Sequence, residues 1–329
     1  MGVDAGPLAP GGGEAPSGTF PDGLRGGGAR LWIRWLFVAI AAGLLAWAIV
    51  RYRGAIADSW SAIGAPAFLA SGAAALLALG ANALSWRAVM RAVGLRSTRR
   101  EAAAVFFISQ AGKYVPGSVW PVVAQAELAR DHGVDRVRAV VGSLGAMVVG
   151  VVTAGVIGAV GTTAFVPGAF EAYWWVLPIA AALAVLLVPA GLRRIVAWAL
   201  RVRGRGAAAP EIAGRDLAAA ILWSAGMWLL LGLHAWILLR QIAPGPSSSW
   251  PLATGVFALA WLVGFLVVLA PAGVGAREAA FIFLLGAVAS TPQALGFALA
   301  SRVLMTLADA VALVIGLALR TARRRASRT

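Results

Sequence analysis

Residues 251–288 read PLATGVFALAWLVGFLVVLAPAGVGAREAAFIFLLGAV, an apolar stretch cut near its middle by Pro271, Gly273 and Gly275, with Arg277 and Glu278 directly behind the cut. Proline removes an amide donor and glycine frees the backbone, so a helix does not run through such a segment undisturbed. At membrane depth a break of this kind is tolerated only where protein or water satisfies the exposed backbone groups. The stretch therefore predicts a re-entrant helix pair and not a single crossing. Residues 102–129, AAAVFFISQAGKYVPGSVWPVVAQAELA, have the same build: apolar flanks, a break at Val115-Pro116-Gly117-Ser118-Val119, and Lys113 beside it.

The membrane setting follows from the whole chain. Of 329 residues 60% are hydrophobic and 12% charged, and the mean hydropathy is +0.84. That apolar supply exceeds what one soluble core of this length could bury. A hydrocarbon core of roughly 30 Å needs about 20 apolar residues per helix. Full-length spans read at about 32–50, 66–88, 138–161, 173–191, 216–239 and 293–319. The fold class expected is an all-α polytopic membrane protein with about six transmembrane helices and two oppositely oriented re-entrant pairs. The Gly/Pro-rich residues 1–30 read as a disordered tail, 31–320 as a single transmembrane domain, and 321–329 as a basic cytoplasmic tail. The Arg-Tyr-Arg after the first span fits an uncleaved anchor better than a signal peptide.

Composition also narrows the chemistry. Cysteine is absent and His132 and His234 are the only histidines, far apart in sequence, so disulfide frameworks, thiol nucleophiles and ordinary zinc or haem sites drop out. No cofactor or metal is expected. A net charge of +15 in a soluble protein would suggest nucleic acid, but here the arginines flank apolar spans and report orientation. With the N-terminus inside, the arginines of residues 25–34, 87–100, 130–138, 193–215 and 320–328 fall on the cytoplasmic side, and only Arg51, Arg53 and Arg240 fall outside. Both termini are then cytoplasmic. The first re-entrant pair enters from the cytoplasm and the second from outside, giving two inverted units, each of span, broken pair and span. Inverted repeats with broken helices meeting near the midplane are the common plan of alternating-access transporters.

Ionisable groups inside apolar spans are costly and point to cavities or partners. Lys113, next to Tyr114 at the first break, can hold a phosphate near half-depth, helped by half-helix amide donors; the bland alternative is a lysine snorkelling to the interface. Arg277 offers a planar guanidinium suited to a phosphodiester, unless it and Glu278 only pair with neighbouring helices. Arg302 and Asp309, two turns apart on one face of the last span, read as ion-pair members, with Glu278 the first choice of partner for Arg302 and Asp309 the second. Gln110, Gln125 and Glu127 flank the first break, and Asn82, Ser85, Trp86 and Arg87 end the second span; capping of freed backbone explains them. The small residues Gly142, Ala146, Gly150, Ala154 and Gly158 form a packing stripe, and Trp32, Trp174, Trp175 and Trp250 read as interfacial anchors.

GKYVPGSVW (112–120) and PAGVGAREAAFIFLL (271–285) resemble the two signature segments of the lysylphosphatidylglycerol synthase/flippase transmembrane family, and the likeness spans roughly residues 30–320. The resemblance implies a bundle with two re-entrant pairs that moves, or helps to move, an anionic or lipid-linked head group between leaflets. Carried onto this sequence, it marks Lys113, Pro116, Gly117, Pro271, Gly273, Arg277 and Glu278. Members with aminoacyltransferase activity carry a large soluble domain after the membrane part, and this chain ends shortly after its last span, so the synthase reaction is not expected.

Three functions remain. The first is a flippase-like transporter of a phospholipid or polyprenyl-phosphate-linked glycolipid in the bacterial inner (plasma) membrane. The second is a non-catalytic membrane partner of a glycosyltransferase or an envelope-lipid export machine. The third, an integral-membrane glycosyl or phosphotransferase, wants acidic residues at an aqueous face, where the outer loops offer only Asp58 and Glu171.

Overall fold

The computed structural model describes Gly2, Gly43 and residues 46–114, 120–130, 134, 136–188, 190, 191, 194, 213–245, 248–267, 273 and 275–326. Every regular element among these is helical. In chain order they are α1 (Arg53–Ser61), α2 (Ala65–Ala92), α3 (Arg99–Gln110) with a 3-10 turn at Ala111–Tyr114, α4 (Trp120–Arg130), α5 (Arg136–Phe165) and α6 (Ala169–Tyr173). There follow α7 (Val176–Ala184) with a 3-10 turn at Val185–Leu187, α8 (Gly214–Ile242), α9 (Trp250–Leu266), α10 (Ala276–Leu285) and α11 (Thr291–Ala326).

Four of these, α2, α5, α8 and α11, are long and apolar enough to cross a membrane. They stand where spans were expected at 66–88, 138–161, 216–239 and 293–319. The expected first span is described only at Gly43 and residues 46–50, all helical, and the rest of 32–50 lies outside the described residues, as do the tail beyond Gly2 and the last residues after Ala326. The expected span at 173–191 is not one full-length helix. A turn at Trp174–Trp175 separates α6 from α7, and after a single 3-10 turn the chain is extended at Val188 (φ −75°, ψ 151°). Val188 precedes Pro189, whose ring disfavours helical backbone in the residue before it.

Each quoted segment holds two short helices, α3 and α4 in one and α9 and α10 in the other, with 115–119, 268–272 and 274 between them outside the described residues. At about 1.5 Å per residue, α3 reaches about 18 Å and α9 about 25 Å, short of a roughly 30 Å hydrocarbon core. A capping box starts α3: Thr98 Oγ1 accepts from the Glu101 amide (3.2 Å), and Glu101 Oε2 accepts from the Thr98 amide (2.8 Å). Ser249 caps α9, where Pro251 sits harmlessly in the first turn. At the first break the legs touch, since a Cβ on Gly112 would lie 3.0 Å from the Pro121 nitrogen. At the second, Gly273 (φ +71°) packs on Gly264, and a Cβ there would lie 3.0 Å from the Gly264 Cα; the left-handed backbone and the close approach both require glycine.

The bundle is organised around α2 and α8, which run antiparallel. Ser71 meets His234 (Oγ to Nδ1, 2.7 Å), Ser85 Oγ donates to the Ala220 carbonyl (2.8 Å), and Arg91 approaches Asp216 (3.9 Å). His234 is fully buried and its Nε2 meets Ser301 Oγ at 2.9 Å, tying α11 to the same core. Small residues let the helices close up: Gly161 of α5 lies against Gly255 of α9, and Gly232 of α8 against Thr254. One end of the bundle gathers the C-terminus of α2, the starts of α3, α5 and α8 and the C-terminal part of α11. There Gly142 packs on Met90 and Val93, and Gly316 on Phe107 and Ile108. That end carries Arg87, Arg91, Arg96, Arg99, Arg100, Arg138, Arg215 and Arg320. At the other end Trp60 Nε1 donates to the Gly296 carbonyl (3.0 Å) and Gln293 Nε2 to the Ile242 carbonyl (2.9 Å), near the start of α9.

Candidate functional site

A cavity of about 320 Å³ lies where the two breaks face α11. Its wall takes Asn82 and Trp86 from α2, Gln110, Lys113 and Tyr114 from the end of α3, and Gln125 from α4. Ser143, Ala146 and Gly150 come from α5, Trp228 from α8, Trp261 and Phe265 from α9, Gly273 and Arg277 from the second break, and Arg302, Thr306 and Asp309 from α11.

The second break places its charges with some economy. Gly275 (φ +85°) turns the chain into α10, and Glu278 in the first turn accepts from the Gly275 amide through Oε2 (2.7 Å). Its other oxygen, Oε1, accepts from Arg302 Nε at 2.6 Å. Glu278 thus caps a helix and neutralises a cation with one carboxylate, and Arg302 takes the partner expected for it. Asp309 is held from the first break: Lys113 Nζ donates to Oδ1 (2.7 Å) and the Tyr114 hydroxyl to Oδ2 (2.5 Å). Lys113 is therefore neither free nor snorkelling.

Arg277 is different. No carboxylate among the described residues pairs with it, and its Nε and Nη2 are buried without a hydrogen-bond partner. Its guanidinium carbon lies 4.7 Å from the Phe257 ring centre and 5.5 Å from that of Phe281. Cation–π contacts of this kind are worth roughly 0.5–2 kcal/mol, less than the several kcal/mol that an unpaired buried charge costs. A cation left in this state inside an apolar bundle is set up to receive an anion.

Of the residues expected at the site, Lys113, Tyr114, Gly273, Arg277, Arg302 and Asp309 line one cavity, and Glu278 lies behind Arg302. Pro116, Gly117 and Pro271 lie outside the described residues. Glu127, on α4, is not part of the cavity wall. Of the residues read as caps, Asn82 of the second span and Gln110 and Gln125 beside the first break line the cavity. The small-residue stripe divides: Gly142 and Gly158 pack against neighbours, while Ala146 and Gly150 open the wall. The aromatic wall escaped the sequence reading. Trp86 and Trp228 are buried, unlike the exposed Trp174, Trp175 and Trp250, and Trp261 stacks on Phe265 with ring centres 5.1 Å apart. Their mid-helix positions were the available signal.

No curated protein matches the chain. The family model described as Lysylphosphatidylglycerol synthase TM region matches residues 34–315, a range that contains α2, α5, α8, most of α11, both break segments and every charged residue of the cavity wall. This is an integral membrane protein, and the chain belongs to the Lysylphosphatidylglycerol synthase TM region family.

Proposed function

We propose that this protein is a flippase-like transporter that passes a phosphate-bearing lipid head group between leaflets through the cavity at the two breaks, the lipid being a phospholipid or a polyprenyl-phosphate-linked glycolipid. The observation that carries the reading is Arg277, a buried cation on the cavity wall with no carboxylate of its own among the described residues. The carboxylates nearby, Glu278 and Asp309, are engaged by Arg302 and by Lys113 with Tyr114, an arrangement that favours ligand holding over acid–base chemistry.

The helix contacts support an inverted repeat of α2–α5 and α8–α11. Exchanging the two units maps observed contacts onto observed contacts: α3 on α11 becomes α9 on α5, α4 on α5 becomes α10 on α11, and α2 on α5 becomes α8 on α11. The Ser71–His234 contact likewise becomes Ala220–Ser85 when the chain is advanced from α2 to α8. In this reading the pairs α3–α4 and α9–α10 are re-entrant from opposite faces. The arginine-rich end is cytoplasmic by the positive-inside rule, with both termini on that side of the inner membrane.

Two experiments test this. In vesicles containing a fluorescent phosphatidylglycerol, the purified protein should expose inner-leaflet label to a membrane-impermeant quencher well above the rate in protein-free vesicles. Equal rates, with a correctly folded protein, would favour a membrane partner of a glycosyltransferase over a transporter. For orientation, an impermeant thiol reagent applied outside cells should label Gly245→Cys and spare Arg325→Cys, and the reverse pattern would overturn the topology.

A further inference from the structure

The charges around the cavity do not balance, and the imbalance has a definite size. Lys113, Arg277 and Arg302 are cationic, while Asp309 and Glu278 are anionic and each already engaged. The two break segments outside the described residues, VPGSV at 115–119 and VLAPA at 268–272, contain no ionisable side chain, so they cannot change the count. The remaining polar groups of the wall, among them Asn82, Gln110, Gln125 and Thr306, are neutral. Among the described residues, one positive charge is left over.

Building on the transport reading above, we infer that the site selects a singly charged phosphodiester, with Asp309 as the residue that sets this valence. A phosphodiester carries one negative charge and brings the cavity to neutrality. A phosphomonoester head group brings a second charge, and a diphosphate a second and a third, that meet Asp309 across a wall of Trp86, Trp228, Trp261 and Phe265, where low polarity strengthens like-charge repulsion. Asp309 is suited to this role because it is a buried carboxylate on the wall, held by Lys113 and Tyr114 from the first break. Glu278, by contrast, is committed behind Arg302 and to the Gly275 amide. The shared chemistry covers a diacyl phospholipid and a prenyl phosphate-linked sugar, and the two are separated by the probes used.

The test is competition against fluorescent phosphatidylglycerol on the purified, reconstituted full chain. Competitors would be phosphatidylglycerol and a farnesyl phosphate-linked hexose, both phosphodiesters, against phosphatidic acid at pH 8 and farnesyl diphosphate. The parent should prefer the phosphodiester of each pair by about tenfold, which is about 1.4 kcal/mol. Preference within the diacyl pair alone or within the prenyl pair alone identifies the tail the site accepts. Asp309→Asn raises the excess charge by one and should turn the preference toward the dianion. The Lys113→Gln, Asp309→Asn double variant restores the excess of one and should restore the parental preference, which a purely structural role for either residue would not do. Should Asp309→Asn fail to fold, the near-isosteric Asn82→Asp removes the excess charge from α2, and phosphatidylglycerol should then bind about tenfold more weakly. Equal affinity of the parent for mono- and dianions, or ratios that ignore these charge changes, would overturn the valence filter and leave the transport reading standing. Failure of the parent to bind any of the four lipids would instead remove the transport reading itself.

Discussion

Replacing Arg277 with Gln should slow transfer of fluorescent phosphatidylglycerol in vesicles by about tenfold to a hundredfold, the loss of one or two charge-assisted contacts to a phosphate. The same change should leave the ligand-free protein as stable to heat as the parent or more so. The two effects have one cause. Arg277 holds two buried nitrogens without partners, and the rings of Phe257 and Phe281 offset only part of that cost. Arg277→Met keeps apolar contact with those rings and loses the charge, so its melting temperature should rise while its transport falls with that of Arg277→Gln. Arg277→Lys should transport better than either but worse than the parent, because an ammonium cannot present the planar fork that binds two oxygens at once. A role in packing alone predicts the opposite for stability. Parental transport by both neutral variants would remove the phosphate-clamp mechanism.

The helix ends beside the breaks were legible: α3 and α9 stop short of Pro116-Gly117 and Pro271-Ala272, which lie outside the described residues, and charge stands beside each. The pairing of Arg302 with Glu278 was legible too, since both residues fall near the same depth once α10 and α11 are drawn as neighbours. The partner of Lys113 was not. That Asp309 receives Lys113 and Tyr114 depends on α3 lying along α11, a contact made possible by Gly316 against Phe107 and Ile108, and helix periodicity carries no information about which helices meet. The same reason hid the cavity in α5. Gly142, Ala146, Gly150, Ala154 and Gly158 share one face, and only the neighbours decide where that face packs and where it opens. The far end of the span at 173–191 could have been trimmed by a local rule, since Pro189 disfavours helix at Val188, whereas the turn at Trp174–Trp175 carries no such signal. Hydropathy averages over a window and does not see a single residue of that kind.

The ion pair between Glu278 and Arg302 should be the most expensive feature of the site to break, and its cost should be lopsided. Removing one partner of a buried pair typically costs about 3–5 kcal/mol, because the other charge is stranded. Glu278→Gln takes the carboxylate from Arg302 Nε beside the already unpaired Arg277 and weakens the cap on the Gly275 amide, so both contacts of one carboxylate are lost together. Arg302→Gln is milder, since Glu278 keeps its contact with the Gly275 amide and has a second guanidinium on the adjacent residue of α10. The order of stability in thermal unfolding of the purified protein should therefore be parent, then Arg302→Gln, then Glu278→Gln. The Glu278→Gln, Arg302→Gln double variant should be more stable than Glu278→Gln alone, because two neutral amides can hydrogen-bond where the single variant sets a guanidinium against a neutral amide. A double variant at least as unstable as the worse single one would mean that the pair does not act as a unit, and Arg302 would then owe its position to other contacts on α11.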